Sequence, residues 1–298
     1  MKNLSIQNLL VPVDFSDNSM NALYTAVEIA KLHGASIKLL FVNDNDDNLY
    51  PDQNLITTQD MVKALGNLTK SVKEGDHVEC DFAYESGSVT NCIIRESVNM
   101  KADMIIIGKN GNSGNRNMFA GSYAYNIMKK SICPVLMVPS GKIWSQFHNI
   151  LFPVRPILSM LEKYTMIKEM MHKNNATLHL LNLRNPDYLN ELHIISKLME
   201  LLKEKLEQDK INASISYYFK DDRFADKILD VTKDLKMNID LLVIMSEPNA
   251  ATKLFVLAPY EQQIIHQSNV PVLIMKAETV LPSKEAVLKA LEKQMTYN

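Results

Sequence analysis

Gly108, Gly111, Gly114 and Gly121 place four of the chain's nine glycines within fifteen residues, Gly108-Lys109-Asn110-Gly111-Asn112-Ser113-Gly114-Asn115-Arg116-Asn117-Met118-Phe119-Ala120-Gly121-Ser122. Glycine lets backbone N–H groups approach an anion closely and visit positive φ, so the chemistry such a loop offers is the cradling of phosphate. Ser122 stands where a helical pattern begins, and its amide and hydroxyl can both donate to phosphate at the positive helix end. Lys109 and Arg116 add local positive charge. Taken alone, a stretch rich in Gly and Asn also fits a surface turn. The elements around it decide between the two.

Those elements alternate. Leu9–Val13 is a short apolar run, and Ser16 is a good N-cap for a helix carrying Met20, Leu23, Val27 and Ala30 at helical spacing. Gly34 suits the left-handed position that ends that helix, and Ala35–Val42 reads as a second strand. A helix from about Leu55 to Val72, a strand near Val78–Tyr84 and a helix near Val89–Val98 follow. Met104–Ile107 has the unbroken apolar composition of a strand buried on both faces. The glycine loop comes directly after it, then a short helix near Ser122–Lys130 and the strand Val135–Val138. Five strands interleaved with helices predict a doubly wound parallel sheet. In such a sheet ligands bind outside the carboxyl ends of the strands, at the topological switch point. Strands one and four flank that point, which brings Asp14 and Gly108 together.

The pattern occurs twice. Asn8-Leu9-Leu10-Val11-Pro12-Val13 matches Asn149-Ile150-Leu151-Phe152-Pro153-Val154, and the same shift of 141 carries Ala35–Leu40 onto Ala176–Leu181. Ala102–Ile107 matches Ile239–Ile244 and Pro134–Met137 matches Pro271–Ile274, both at a shift of 137. The repeat predicts one domain over residues 1–142 and a second over 148–277, with strands near Ile150–Val154, Leu178–Leu183, Ser214–Phe219, Leu241–Met245 and Val270–Met275. Residues 278–298 form a tail in which Pro282, Ser283 and Glu285 open an amphipathic helix with Val287, Leu288 and Leu291.

Composition removes several other classes. Thirty-two basic against 34 acidic residues leave a net charge of -2, so no global field draws the chain to nucleic acid or acidic lipid. Cys80, Cys92 and Cys133 are odd in number and far apart, which argues against a disulfide framework or a zinc site. The N-terminal residues lack the apolar core of a signal peptide and no run is long enough to span a membrane, so the expected location is cytoplasmic. Asp44-x-Asp46-x-Asn48 imitates the start of a calcium loop, but Leu49 and Leu55 stand where Gly and Glu are required; it reads as a solvated acidic loop. No nucleophile elbow, zinc-protease pair or Walker loop occurs, and no metal spacing links the seven histidines. Met170-Met171 and the other methionines read as adaptable core, and Tyr217-Tyr218-Phe219 as alternating strand positions.

In this setting Gly108-x2-Gly111-x9-Gly121-Ser122 resembles the nucleotide-binding signature of the universal stress protein family. Val11-Pro12-Val13-Asp14-Phe15-Ser16 is similar to that family's first strand and turn, and Cys133-Pro134-Val135-Leu136-Met137-Val138 to its last strand. The resemblance spans residues 8–139 and, through the repeat, 149–276. It implies a tandem member whose halves form a pseudo-dimer, with the strands Val135–Val138 and Val272–Met275 meeting across a pseudo-twofold; it also leaves room for a homodimer and for an unidentified protein partner. It further implies that ATP (or ADP or AMP) binds in the N-terminal half, with Mg²⁺ on the phosphates. Pro12 and Asp14 would border adenine and ribose, Asp14 accepting from ribose hydroxyls. Val42 and Ile107 would flank the base, and Gly108, Gly111, Gly121, Ser122 and Tyr123 would line ribose and phosphates. Asp14 also fits a helix cap, and the two roles are compatible. Asn112 departs from the basic residue the family often has after the second glycine.

The second copy lacks this set. Met245, Pro248, Ala258 and Pro259 fall at the places of Gly108, Gly111, Gly121 and Ser122, and Arg155 replaces Asp14. Two prolines remove amide donors and Met245 restores a side chain. The expected role is regulatory, with nucleotide occupancy changing stability or surface. No general base or metal-holding carboxylate pair stands near the loop, so catalysis is not the leading reading; a slow ATP hydrolase or phosphotransferase, and a nucleotide-independent scaffold, are the alternatives.

Overall fold

The computed structural model describes residues 5–44, 57–109, 122–155, 159–184, 189–219, 224–247, 255 and 257–276. These divide into two compact units, one of residues Ile6–Gln146 and one running from Phe147.

In the first unit the order is β1 (Asn8–Pro12), α1 (Asp17–His33), β2 (Ser36–Asn43), α2 (Thr58–Asp76), β3 (Cys80–Ser86), α3 (Val89–Asn99), β4 (Met104–Gly108), α4 (Ser122–Lys130) and β5 (Val135–Val138). All pairings are parallel, in the spatial order β3-β2-β1-β4-β5. Helix α1 packs on β1 and β4 and touches α2, whereas α3 packs on β1 and β2 and touches α4. The two pairs therefore cover opposite faces, as right-handed crossovers require when the strand order reverses. Central strands covered twice must be apolar throughout. Leu9, Leu10, Val11 and Ile105–Ile107 are fully buried, while the edge strand β3 is mostly half-buried.

Local chemistry fixes the ends. Ser16 caps α1, its hydroxyl accepting from Ser19 N at 3.3 Å, and Gly34 closes the helix at φ 69°. Thr57 and Asp60 form a capping box that starts α2 three residues later than the apolar pattern suggests; the hydroxyl–carboxylate pair outcompetes the weaker signal at Leu55. Asp103 Oδ2 accepts from the backbone N–H of both Gln7 and Asn8, at 2.8 and 2.9 Å, and so pins the start of β1 beside β4.

The second unit repeats the plan: β6 (Asn149–Val154), α5 (Ser159–Lys173), β7 (Thr177–Arg184), α6 (Leu189–Gln208), β8 (Asn212–Phe219), α7 (Phe224–Lys233), β9 (Leu241–Ser246), α8 (Pro259–Gln267) and β10 (Val272–Lys276). Its strands pair in parallel in the order β8-β7-β6-β9-β10. Asp240 repeats the Asp103 clamp, accepting from His148 N and Asn149 N at 2.9 and 3.0 Å. Ser131 and Ser268 likewise end α4 and α8 the same way, each hydroxyl donating at 2.7 Å to the carbonyl two residues on. The amphipathic tail expected beyond residue 277 lies outside the described residues.

Candidate functional site

In the first unit β1 pairs with β2 on one side and β4 on the other, so the carboxyl ends of these strands define the switch point. Pro12 ends β1 buried, its register partner Leu40. Asp14 follows two residues on. Its Oδ1 accepts from Ser16 N at 3.0 Å and from the Ser16 hydroxyl at 2.6 Å, so Asp14 supports the helix cap and is not itself the cap. Oδ2 has no hydrogen-bond partner among the described residues. Between them Phe15 holds φ 61°, the left-handed region that an aromatic residue enters only under constraint.

Val42 is buried near the end of β2 and Ile107 is fully buried in β4. Gly108 ends β4 under the first turn of α1: a Cβ there would stand 2.2 Å from the Asn18 carbonyl oxygen. Backbone approach therefore demands glycine at 108, and what approaches is the protein's own helix. Lys109 N donates to Val138 O at 2.7 Å, and burial lowers the Lys109 pKa. Gly111, Gly121 and Arg116 lie outside the described residues, and Ser122 is the first residue of α4.

Tyr123, one position into α4, donates its hydroxyl to Asp44 Oδ2 at 3.0 Å. This bond ties the end of β2 to the start of α4. The sequence gives Asp44 only as part of an acidic loop, and its partner could not be found from spacing because 79 residues separate the two. A row of aromatic rings, Phe15 at 6.2 Å from Phe41 and Phe41 stacked at 5.7 Å on Tyr84, also escaped the sequence reading. Its one signal is the strand register that sets Phe41 opposite Tyr84.

At the equivalent place in the second unit stand larger side chains that bond to one another. Met245 is buried in β9 where the first unit has Gly108. Arg155 Nη1 donates to the Tyr260 hydroxyl at 2.9 Å, which donates to Glu261 Oε1 at 3.0 Å. The other oxygen of Glu261 accepts from Ala258 N at 2.7 Å and from the Ser246 hydroxyl at 3.4 Å. A buried carboxylate of the protein itself thus occupies the start of α8, where an anion would otherwise be drawn. Burial pushes the Glu261 pKa up, opposed by the Ala258 and Tyr260 hydrogen bonds and by Arg155. Pro248 lies outside the described residues. Among the described residues, no group of three or more His, Cys, Asp or Glu side chains could hold a metal ion, and no helix is long and apolar enough to cross a membrane.

Comparison with known proteins agrees with this architecture. Residues 5–139 match the universal stress protein family. Over 142 residues the chain is 28% identical to a universal stress protein of Methanocaldococcus jannaschii, covering 46% of this chain and 84% of that one. Over 144 residues it is 27% identical to one from Bacillus subtilis, covering 44% and 97%. The crystal structure of a universal stress protein from Archaeoglobus fulgidus shares the fold over 90% of this chain and 98% of its own, with a TM-score of 0.72 at 18% identity. The fold and the match together define a protein of repeated Rossmann-like domains. Its first unit matches the universal stress protein family, a family of stress-response proteins, and its second unit repeats the same fold.

Proposed function

We propose that the first unit binds an adenine nucleotide, ATP with Mg²⁺ carried on its phosphates, and that occupancy regulates the protein's stability or surface in a cytoplasmic stress response. The observation that carries this reading is the gathering of Asp14, Val42, Ile107, Gly108 and the start of α4 at one end of the sheet, around the switch point. Asp14 Oδ2 is the acceptor for ribose hydroxyls, and Pro12, Val42 and Ile107 supply apolar walls for the base. Gly111, Gly121 and the N-terminal amides of α4 at Ser122 and Tyr123 are the phosphate donors. Mg²⁺ supplies charge neutralisation on the phosphates, and the chain's part is to orient the nucleotide.

Isothermal titration of the purified chain with Mg-ATP tests the reading. Saturable binding should be lost in Gly121→Val, whose side chain blocks the approach of the loop, and weakened about tenfold or more in Asp14→Ala, the loss of roughly 1.5–3 kcal/mol expected for hydrogen bonds to a charged acceptor. Unchanged affinity in both variants would place the nucleotide elsewhere.

A further inference from the structure

Lys163, on α5, is a lysine with only 1% of its surface exposed. Among the described residues its hydrogen bonding is limited to one long contact, Nζ donating to Pro153 O at 3.4 Å, and the amine stands 4.0 Å over the face of Phe152. No carboxylate pairs with it among those residues. Glu261, the buried acid nearby, is already engaged by Ala258 N, the Tyr260 hydroxyl and the Ser246 hydroxyl. Lys163 instead lines a narrow pocket with Arg155, Met160, Phe224, Met245 and Tyr260. The space between atoms there is about 240 Å³ including the part open to solvent, and only a small core of it admits a water-sized group.

We propose that this pocket is a covalent site for the smallest aldehydes, close to formaldehyde in size, with Lys163 as the amine nucleophile. An apolar, desolvated setting beside a second cation favours the neutral form of a lysine amine, which is how imine-forming lysines are activated. Burial, and then Arg155, lower the Lys163 pKa well below the ordinary lysine range, with Glu261 opposing them. The lone pair of Nζ attacks the carbonyl carbon and the C–N bond forms. The carbonyl oxygen collects two protons, those that Nζ gives up on passing from amine to imine, and leaves as water. An aldehyde and the amine thus give an imine and one water, with no oxidant or reductant. The size of the pocket restricts the substituent, and its Met and Phe walls favour one without charge. A small anion held by Lys163 and Arg155 is the competing occupant, and it would keep the amine protonated.

The test uses the intact folded chain with formaldehyde as probe and cyanoborohydride to fix the imine, and peptide mass spectrometry to follow each lysine over time. At pH 6.5 Lys163 should be labelled at least tenfold faster than the exposed lysine Lys70. That lead should narrow at pH 8.5, because the neutral fraction of an ordinary lysine amine rises steeply over this range, whereas burial already favours the neutral form of Lys163. In concentrated urea the two should react equally. In Arg155→Met the advantage of Lys163 at pH 6.5 should shrink several-fold as its neighbouring cation is lost. Labelling of Lys163 no faster than that of Lys70 at pH 6.5, as a resident anion or a closed pocket would give, overturns the proposal, and so does an advantage that survives urea.

Discussion

At the scale of single residues, two glycines of the first unit carry opposite expectations. A Cβ at Gly108 meets the Asn18 backbone at 2.2 Å, and backbone can yield only by moving the first turn of α1. Gly108→Ala should therefore lower stability by about 1–3 kcal/mol in urea unfolding, with or without nucleotide, which makes it a poor probe of binding. Gly66 lies inside α2 with ordinary φ, and a Cβ there reaches Phe82 at a comfortable 3.9 Å. Gly66→Ala should raise stability by about 0.5–1 kcal/mol, the helix-propensity difference. Lys163 supplies the pH dependence. Its pKa is lowered in the fold by burial and Arg155, so between the folded and unfolded values the unfolded chain holds the additional proton. The contribution of this group then rises with pH across that window and is complete above the unfolded lysine value near 10.4. Lys163→Met should flatten that rise. It should also raise stability in urea unfolding at pH 7, by about 1–3 kcal/mol, because a buried amine with one long hydrogen bond is exchanged for an apolar chain of similar length.

Among the elements, the two aspartate clamps explain why the repeat is so regular at the amino ends of its strands. Asp103 and Asp240 each accept two backbone N–H bonds from the residues that begin β1 and β6. Asp103→Ala should cost about 1–3 kcal/mol, and hydrogen exchange at Gln7 and Asn8 should accelerate while the carboxyl end of β1 stays protected. The sequence showed the aspartates as matched letters without saying what they did. What it did show was set by short-range physics. Unbroken apolar runs located β1, β4, β6 and β9, and Ser16 and Gly34 bounded α1, because burial on both faces and helix capping leave marks within a few residues. The shifted start of β3, at Cys80 instead of Val78, and of α2, at Thr58, came from competing local signals that only the folded partners resolve. Contacts such as Tyr123 with Asp44 join residues far apart in the chain, and no spacing rule reveals them.

For the molecule as a whole, the decisive feature is that one fold is used twice with different chemistry at its switch point. That the second copy differs there was legible from Arg155, Met245 and Pro259, since proline has no backbone donor and the other two add side chains. What replaced the donors was not legible. Glu261 takes the start of α8, Arg155 reaches Tyr260, and Lys163 enters from α5 at a position where the first copy has Ala22. An internal carboxylate at that helix start repels phosphate, and Met245 is buried where the first unit has Gly108. Equilibrium dialysis with labelled ATP should accordingly give close to one nucleotide per chain. ATP at 100-fold above its Kd should stabilise the first unit by about 2.7 kcal/mol, read as slowed hydrogen exchange in β1, β2 and β4 but not in β6, β7 and β9. Arg155→Ala should leave the stoichiometry at one, since Arg155 is engaged by Tyr260 and not by nucleotide. Two equivalent sites per chain, or protection that appears in β6 and β9 and disappears with Arg155→Ala, would move nucleotide binding to the second unit and remove the asymmetry on which this division of labour rests.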